Sequence, residues 1–80
     1  MAGSRSERIH RLIEALNAVT VGEFSAIETK LTAAREELAT LQEADLEKTV
    51  AEAQAHLLKG DLASFRRLVA QAVSRLGHLR

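Results

Sequence analysis

Residues 24–41 read FSAIETKLTAAREELATL, and within them Phe24, Ile27, Leu31, Ala34, Leu38 and Leu41 recur at steps of three, four, three, four and three. Six consecutive residues thus occupy the a and d positions of a heptad, the pattern of a helix that presents a narrow apolar stripe to another helix. At a rise of 1.5 Å per residue the stripe is about 27 Å long. Ala34 is the one small residue in it, and marks where a partner backbone comes closest.

On its N-terminal side, Thr20-Val21-Gly22-Glu23 fits the S/T-x-x-E capping box. Val19 and Phe24 are then spaced as a hydrophobic staple, so the spacing predicts a helix from about residue 21 after a very short connection. Gly22 would lie in the first turn of that helix, at a cost of about 1 kcal/mol against Ala. Further upstream, Ser4-Arg5-Ser6-Glu7 is another capping box, and Ile9, Leu12, Ile13, Leu16 and Val19 give one apolar helical face.

On the C-terminal side the heptad fails. The next core position after Leu41 falls on Asp45, whereas the apolar residue is Leu46, after which Val50, Ala53 and Leu57 resume the rhythm. Either Asp45 caps a new helix or a single helix bends there. Gln42-Glu43-Ala44 are good helix formers with no Gly or Pro among them, which favours the bent helix. Lys59-Gly60-Asp61 is clearer punctuation: a basic residue at a helix C-terminus, a left-handed glycine, and an N-cap. The last helix carries Leu62, Phe65, Val69, Ala72, Leu76 and Leu79, again at three-four spacing. Leu68 and Val73 widen the stripe, so it is expected to sit deepest in the core.

Ala, Leu, Glu, Arg and Gln dominate the composition, Pro and Cys are absent, and Val19-Thr20-Val21 is the only β-branched triplet. The expected fold is therefore all-α: one domain over residues 1–80, frayed at 1–4. It is a small bundle of three or four helices near 5–18, 21–43, 45–59 and 61–77, the middle two fused if the helix bends at Asp45. Leu62, Phe65, Val69, Ala72 and Leu76 form its core. Eighty residues without a disulfide lie near the lower limit for a self-sufficient core. The first helix is also shorter than the Phe24–Leu41 stripe. Both considerations point to completion by oligomerisation, most simply as a homodimer, through Phe24, Ile27, Leu31, Ala34, Leu38 and Leu41.

The net charge is zero, but residues 23–43 carry two basic against five acidic side chains and residues 61–80 four Arg against one Asp. An acidic middle and a basic end suit complementarity within or between chains better than bulk binding to nucleic acid or membrane. No apolar run approaches the ~20 residues of a membrane span, and the opening residues lack a signal-peptide apolar region, so a cytoplasmic location is expected.

Glu7-x-x-His10 has the E-x-x-H spacing of carboxylate di-metal bundles, but Ile9, Leu12 and Leu16 define the buried face and turn Glu7 and His10 away from it. Glu52 and His56 lack a third ligand. No serine has a histidine at a spacing that suggests a base, and no glycine-rich phosphate loop exists, so no catalytic residue, metal or cofactor is expected.

RIHRLIEAL (8–16), the turn NAVT (17–20) and VGEF (21–24) resemble the opening of small winged or helix-turn-helix repressors. That resemblance implies a basic recognition helix next, where this chain has Glu36 and Glu37 and no turn residue. Arg66, Arg67 and Arg75 project at different azimuths and form no phosphate-tracking stripe. The hairpin around Leu58-Lys59-Gly60, with Phe65 and Leu68, resembles the small hairpin co-chaperones of type III secretion needles, which implies a protein-binding role. The expected function is a non-catalytic interaction protein, an assembly factor, small chaperone or adaptor that self-associates through the stripe and binds a protein partner. A small dimeric DNA-binding regulator is the alternative.

Overall fold

Ser4 lies at φ −64° and ψ 165°, and its hydroxyl accepts the Glu7 backbone N–H at 3.2 Å, which starts helix α1, Arg5–Ala18. The computed structural model describes residues 4–19 and 22–79. The fraying expected over residues 1–4 concerns Met1–Gly3, outside the described residues, but Ser4 is an ordered cap. At the other end of α1, Val19 is the C-cap and is fully buried.

Helix α2 spans Phe24–Thr40, with Glu23 as an N-cap that makes no side-chain bond. It therefore begins three residues later than the Thr20 capping box predicts. Thr20 and Val21 lie outside the described residues. Gly22 stands before the helix at φ +112°, a backbone conformation that L side chains rarely adopt. A Cβ there would meet nothing within 4 Å, so the requirement for glycine comes from φ and not from a close approach of backbones. Phe24 is the first residue of α2, not the fourth, and is 47% exposed, so it does not hold the staple position expected of it.

The bent-helix reading is overturned. Leu41 ends α2 and Gln42 takes φ +62°. The Gln42 N–H donates to Ala39 O at 3.1 Å and the Glu43 N–H to Leu38 O at 3.0 Å. This is a Schellman motif, with glutamine where glycine is usual. Helix α3 then runs Ala44–Leu58. Asp45 falls in its first turn, where a negative charge complements the helix dipole, and Glu43 holds the N-cap position.

The second Schellman motif follows the sequence reading. Lys59 is the C-cap and Gly60 takes φ +81°; the Gly60 N–H donates to Leu57 O at 3.0 Å and the Asp61 N–H to His56 O at 2.9 Å. Asp61 Oδ1 accepts the Ser64 N–H at 3.1 Å and caps helix α4, Leu62–Leu79.

Among the described residues all regular structure is helical, and the four helices form an all-α bundle measuring 38 × 20 × 17 Å. α1 packs on α2, α2 on α3, α3 on α4 and α4 back on α1, with no diagonal helix pair among the described residues. Arg5 and Arg8 at the start of α1 reach Leu41 and Glu37 at the end of α2, and short turns join α2 to α3 and α3 to α4, so successive neighbours are antiparallel. Every helix thus has two neighbours, and α4 is not distinguished by having two. Its Leu68 and Val73 do pack against the core as expected. Each helix contributes fully buried side chains, Ile9 and Leu16, Leu31 and Leu38, Val50, and Leu76 among them.

Candidate functional site

Ile27, Leu31, Ala34, Leu38 and Leu41 are all buried within the chain's own core. α3 covers the second flank of α2, so the short α1 does not leave the stripe open. Of the six stripe residues only Phe24 is open to solvent. On α4, Phe65, Val69, Ala72 and Leu76 are buried as expected, whereas Leu62 is 47% exposed because it opens the helix at the tip of the α3–α4 turn. Phe24, Leu58 and Leu62 share one end of the bundle, where the α1–α2 connection and the α3–α4 turn meet solvent.

A groove of about 620 Å³ lies between α1 and α2. From α1 it takes Arg8, Arg11, Leu12 and Ala15. From α2 it takes Lys30, Ala33, Ala34 and Glu37. Leu12 and Ala34 are buried and form the floor, while Ala15 and Ala33 are exposed on the two walls. The small side chains on both walls leave a recess above this floor. Ala34, the point of closest approach read from the sequence, is part of this floor.

One ion pair crosses the groove. Arg8 Nε donates to Glu37 Oε1 at 2.5 Å, with both side chains about one-third exposed. The hydrogen bond that Arg8 donates to Glu37, joined by the carboxylate's charge, raises the Arg8 pKa above the ordinary guanidinium value against the opposing effect of desolvation. Arg11 and Lys30 are exposed and make no hydrogen bond or ion pair among the described residues. On α1 itself, Glu14 is paired with His10 at 2.6 Å on the outer face. Thr29 and Thr40, on the exposed surface of α2, give their hydroxyls to the Ser25 and Glu36 carbonyls of their own helix, each at 3.0 Å.

The residues of this groove were not singled out by the apolar stripes, yet they obey a simple offset. Arg8, Arg11 and Ala15 each precede a buried residue of α1 by one position, and Lys30, Ala33 and Glu37 do the same on α2. In an antiparallel hairpin these two flanks face each other, which is the signal that could have found the site.

Glu7 and His10 are exposed, away from the core face. His56 Nδ1 lies 3.2 Å from Asp61 Oδ2, close enough for an ion pair but not aligned as a hydrogen bond. Hydrogen bonds from the Ser64 hydroxyl and backbone N–H, with a smaller contribution from His56, hold the Asp61 carboxyl below its usual pKa. No group of three or more potential metal ligands comes together among the described residues, and no described helix is long and apolar enough to cross a membrane. Comparison with protein-family models, characterised proteins and solved structures returns no match for this chain.

Proposed function

We propose that this chain is a non-catalytic interaction module that binds a helical segment of a protein partner in the α1–α2 groove. The observation that carries the reading is the recess between α1 and α2, where exposed Ala15 and Ala33 flank a buried floor of Leu12 and Ala34, in a bundle whose stripe residues, Phe24 apart, are covered by its own helices. A groove between two antiparallel helices accepts a third helix as ridges enter grooves, and small wall residues permit close approach. Self-association through the Phe24–Leu41 stripe would require copies to exchange helices, since five of the six residues are buried in one chain. The stripe therefore supports the scaffold, and the groove supports docking.

The test is a selection of displayed helical peptides against the wild-type chain, followed by Ala33→Trp. Ala33 is exposed, so the indole fills the groove without entering the core. Binders lost on Ala33→Trp support the reading; a set of binders that all tolerate it would place docking elsewhere.

A further inference from the structure

The charge of the groove walls specifies the kind of helix that fits. Four ionisable side chains line the groove: Arg8, Arg11, Lys30 and Glu37. Glu37 is already engaged by Arg8. That leaves one unpaired cation on each wall, Arg11 from α1 and Lys30 from α2, flanking Ala15 and Ala33. The antiparallel register set by Arg8 and Glu37 brings Arg11 level with Ala34 and Ala15 level with Lys30. Along the groove the order is thus an ion pair, a free guanidinium and a free ammonium, about one helical turn apart.

Resting on the groove being a helix-docking site, we infer that its occupant is an acidic amphipathic helix of a protein partner. Its apolar edge packs against the Ala15 and Ala33 methyl groups above Leu12 and Ala34, and carboxylates on opposite sides of that edge, about two or five residues apart, meet Arg11 and Lys30. Cations held on opposite walls fix the azimuth of such a helix, because a carboxylate on each side of its apolar edge is needed to satisfy both. Rim charges of this kind act on association rate and partner choice, and their effect is screened by salt. A basic helix with the same apolar edge would place like charges together on both walls.

The experiment uses two 16-residue helical peptides with identical leucine edges, one flanked by Glu and one by Lys, titrated into isotopically labelled full chain. Amide shifts report the site and the affinity. The Glu peptide is expected to move the amides of Arg11, Ala15, Lys30 and Ala33, to bind about tenfold more tightly than the Lys peptide at low salt, and to lose most of that advantage at high salt. In the double variant Arg11→Glu/Lys30→Glu, both changes being on exposed positions, the preference should reverse. Glu37→Gln, which releases Arg8, should tighten the Glu peptide further. Equal binding of the two peptides at these amides would overturn the charge assignment while leaving the groove as a docking site. Shifts confined to the Phe24 and Leu62 end, or none with either peptide, would remove the docking site and this inference with it. Displacement of neither charge preference by the double variant would also overturn it.

Discussion

The two interior turns of the bundle have the same hydrogen bonds and different means of support. After α3, the turn is self-contained: Gly60 adopts φ +81° without a side chain to strain, and Asp61 caps the next helix through Ser64. After α2, Gln42 holds φ +62° with a side chain, and Glu43 at the following N-cap position makes no capping bond. That turn is held from a distance. Arg5, at the start of α1, donates from Nη1 to Leu41 O at 3.0 Å and pairs with the Glu43 carboxylate. A cation on the last carbonyls of α2 also complements the helix dipole there. One turn is specified by its own three residues, the other by a residue 36 positions away.

The sharpest distinction between the turns lies beneath them. The residue whose carbonyl closes the first motif, Leu38, is fully buried, whereas its counterpart His56 is about one-third exposed. Leu38→Ala is expected to lower unfolding free energy by about 2–5 kcal/mol in urea titrations, and His56→Ala by much less. Equal losses would mean that the two turns rest on the core in the same way.

Next come substitutions with opposite signs. Gly60→Ala should destabilise by about 1–2 kcal/mol, all of it backbone strain, since a Cβ at Gly60 meets nothing within 4 Å. Gln42→Gly should stabilise by about 0.5–1 kcal/mol, the strain relieved less the entropy that glycine loses. Two losses, or two gains, would show that the turns do not share one backbone geometry.

Arg5→Ala tests the distant support. A stability loss of about 1 kcal/mol is expected, with faster hydrogen exchange at the Gln42 and Glu43 amides and unchanged exchange at Gly60 and Asp61. Exchange rising equally at both turns would remove the asymmetry.

The smallest effect is in the acid range. The Asp61 carboxyl titrates below its ordinary value, so its contribution is complete above the unfolded pKa of about 3.9 and is lost as pH falls through the folded-state value. Asp61→Asn keeps an N-cap but removes the titration. Stability of the variant should therefore fall less than wild type below about pH 4. Parallel acid curves would mean that Asp61 contributes only as a cap.

This asymmetry also explains what could be read from the chain. Ser4, Gly60 and Asp61 act on neighbours within four residues, and the limits of α1 and the α3–α4 turn were legible from them. The break after Leu41 left a trace in the failed heptad at Asp45, but Gln42 has no turn chemistry of its own and Arg5 is remote in sequence, so the propensity of Gln42-Glu43-Ala44 pointed the wrong way. The groove was not legible: Ala34 is read from the sequence as part of a self-association stripe, and Arg11 and Lys30 gain meaning only when two flanks are folded against each other. Stripe periodicity reports the face that is buried and is silent about the shoulder beside it.

The packing of α4 on α1 closes the helices into a ring. Arg75, His78 and Leu79 line the same recess as Gln42 to Leu46, and Arg5 reaches that turn from α1. The two ends of the ring therefore lie together at one pole, and the order in which the helices are written is an accident of where the chain is cut. A circularly permuted chain, linked from α4 to α1 and opened at Gly60, would keep every helix pair while turning the most distant contact in sequence into a local one. Opened there, α3 and α4, the most extensively packed pair, become the ends that must meet last, so such a permutant should fold more slowly than the parent.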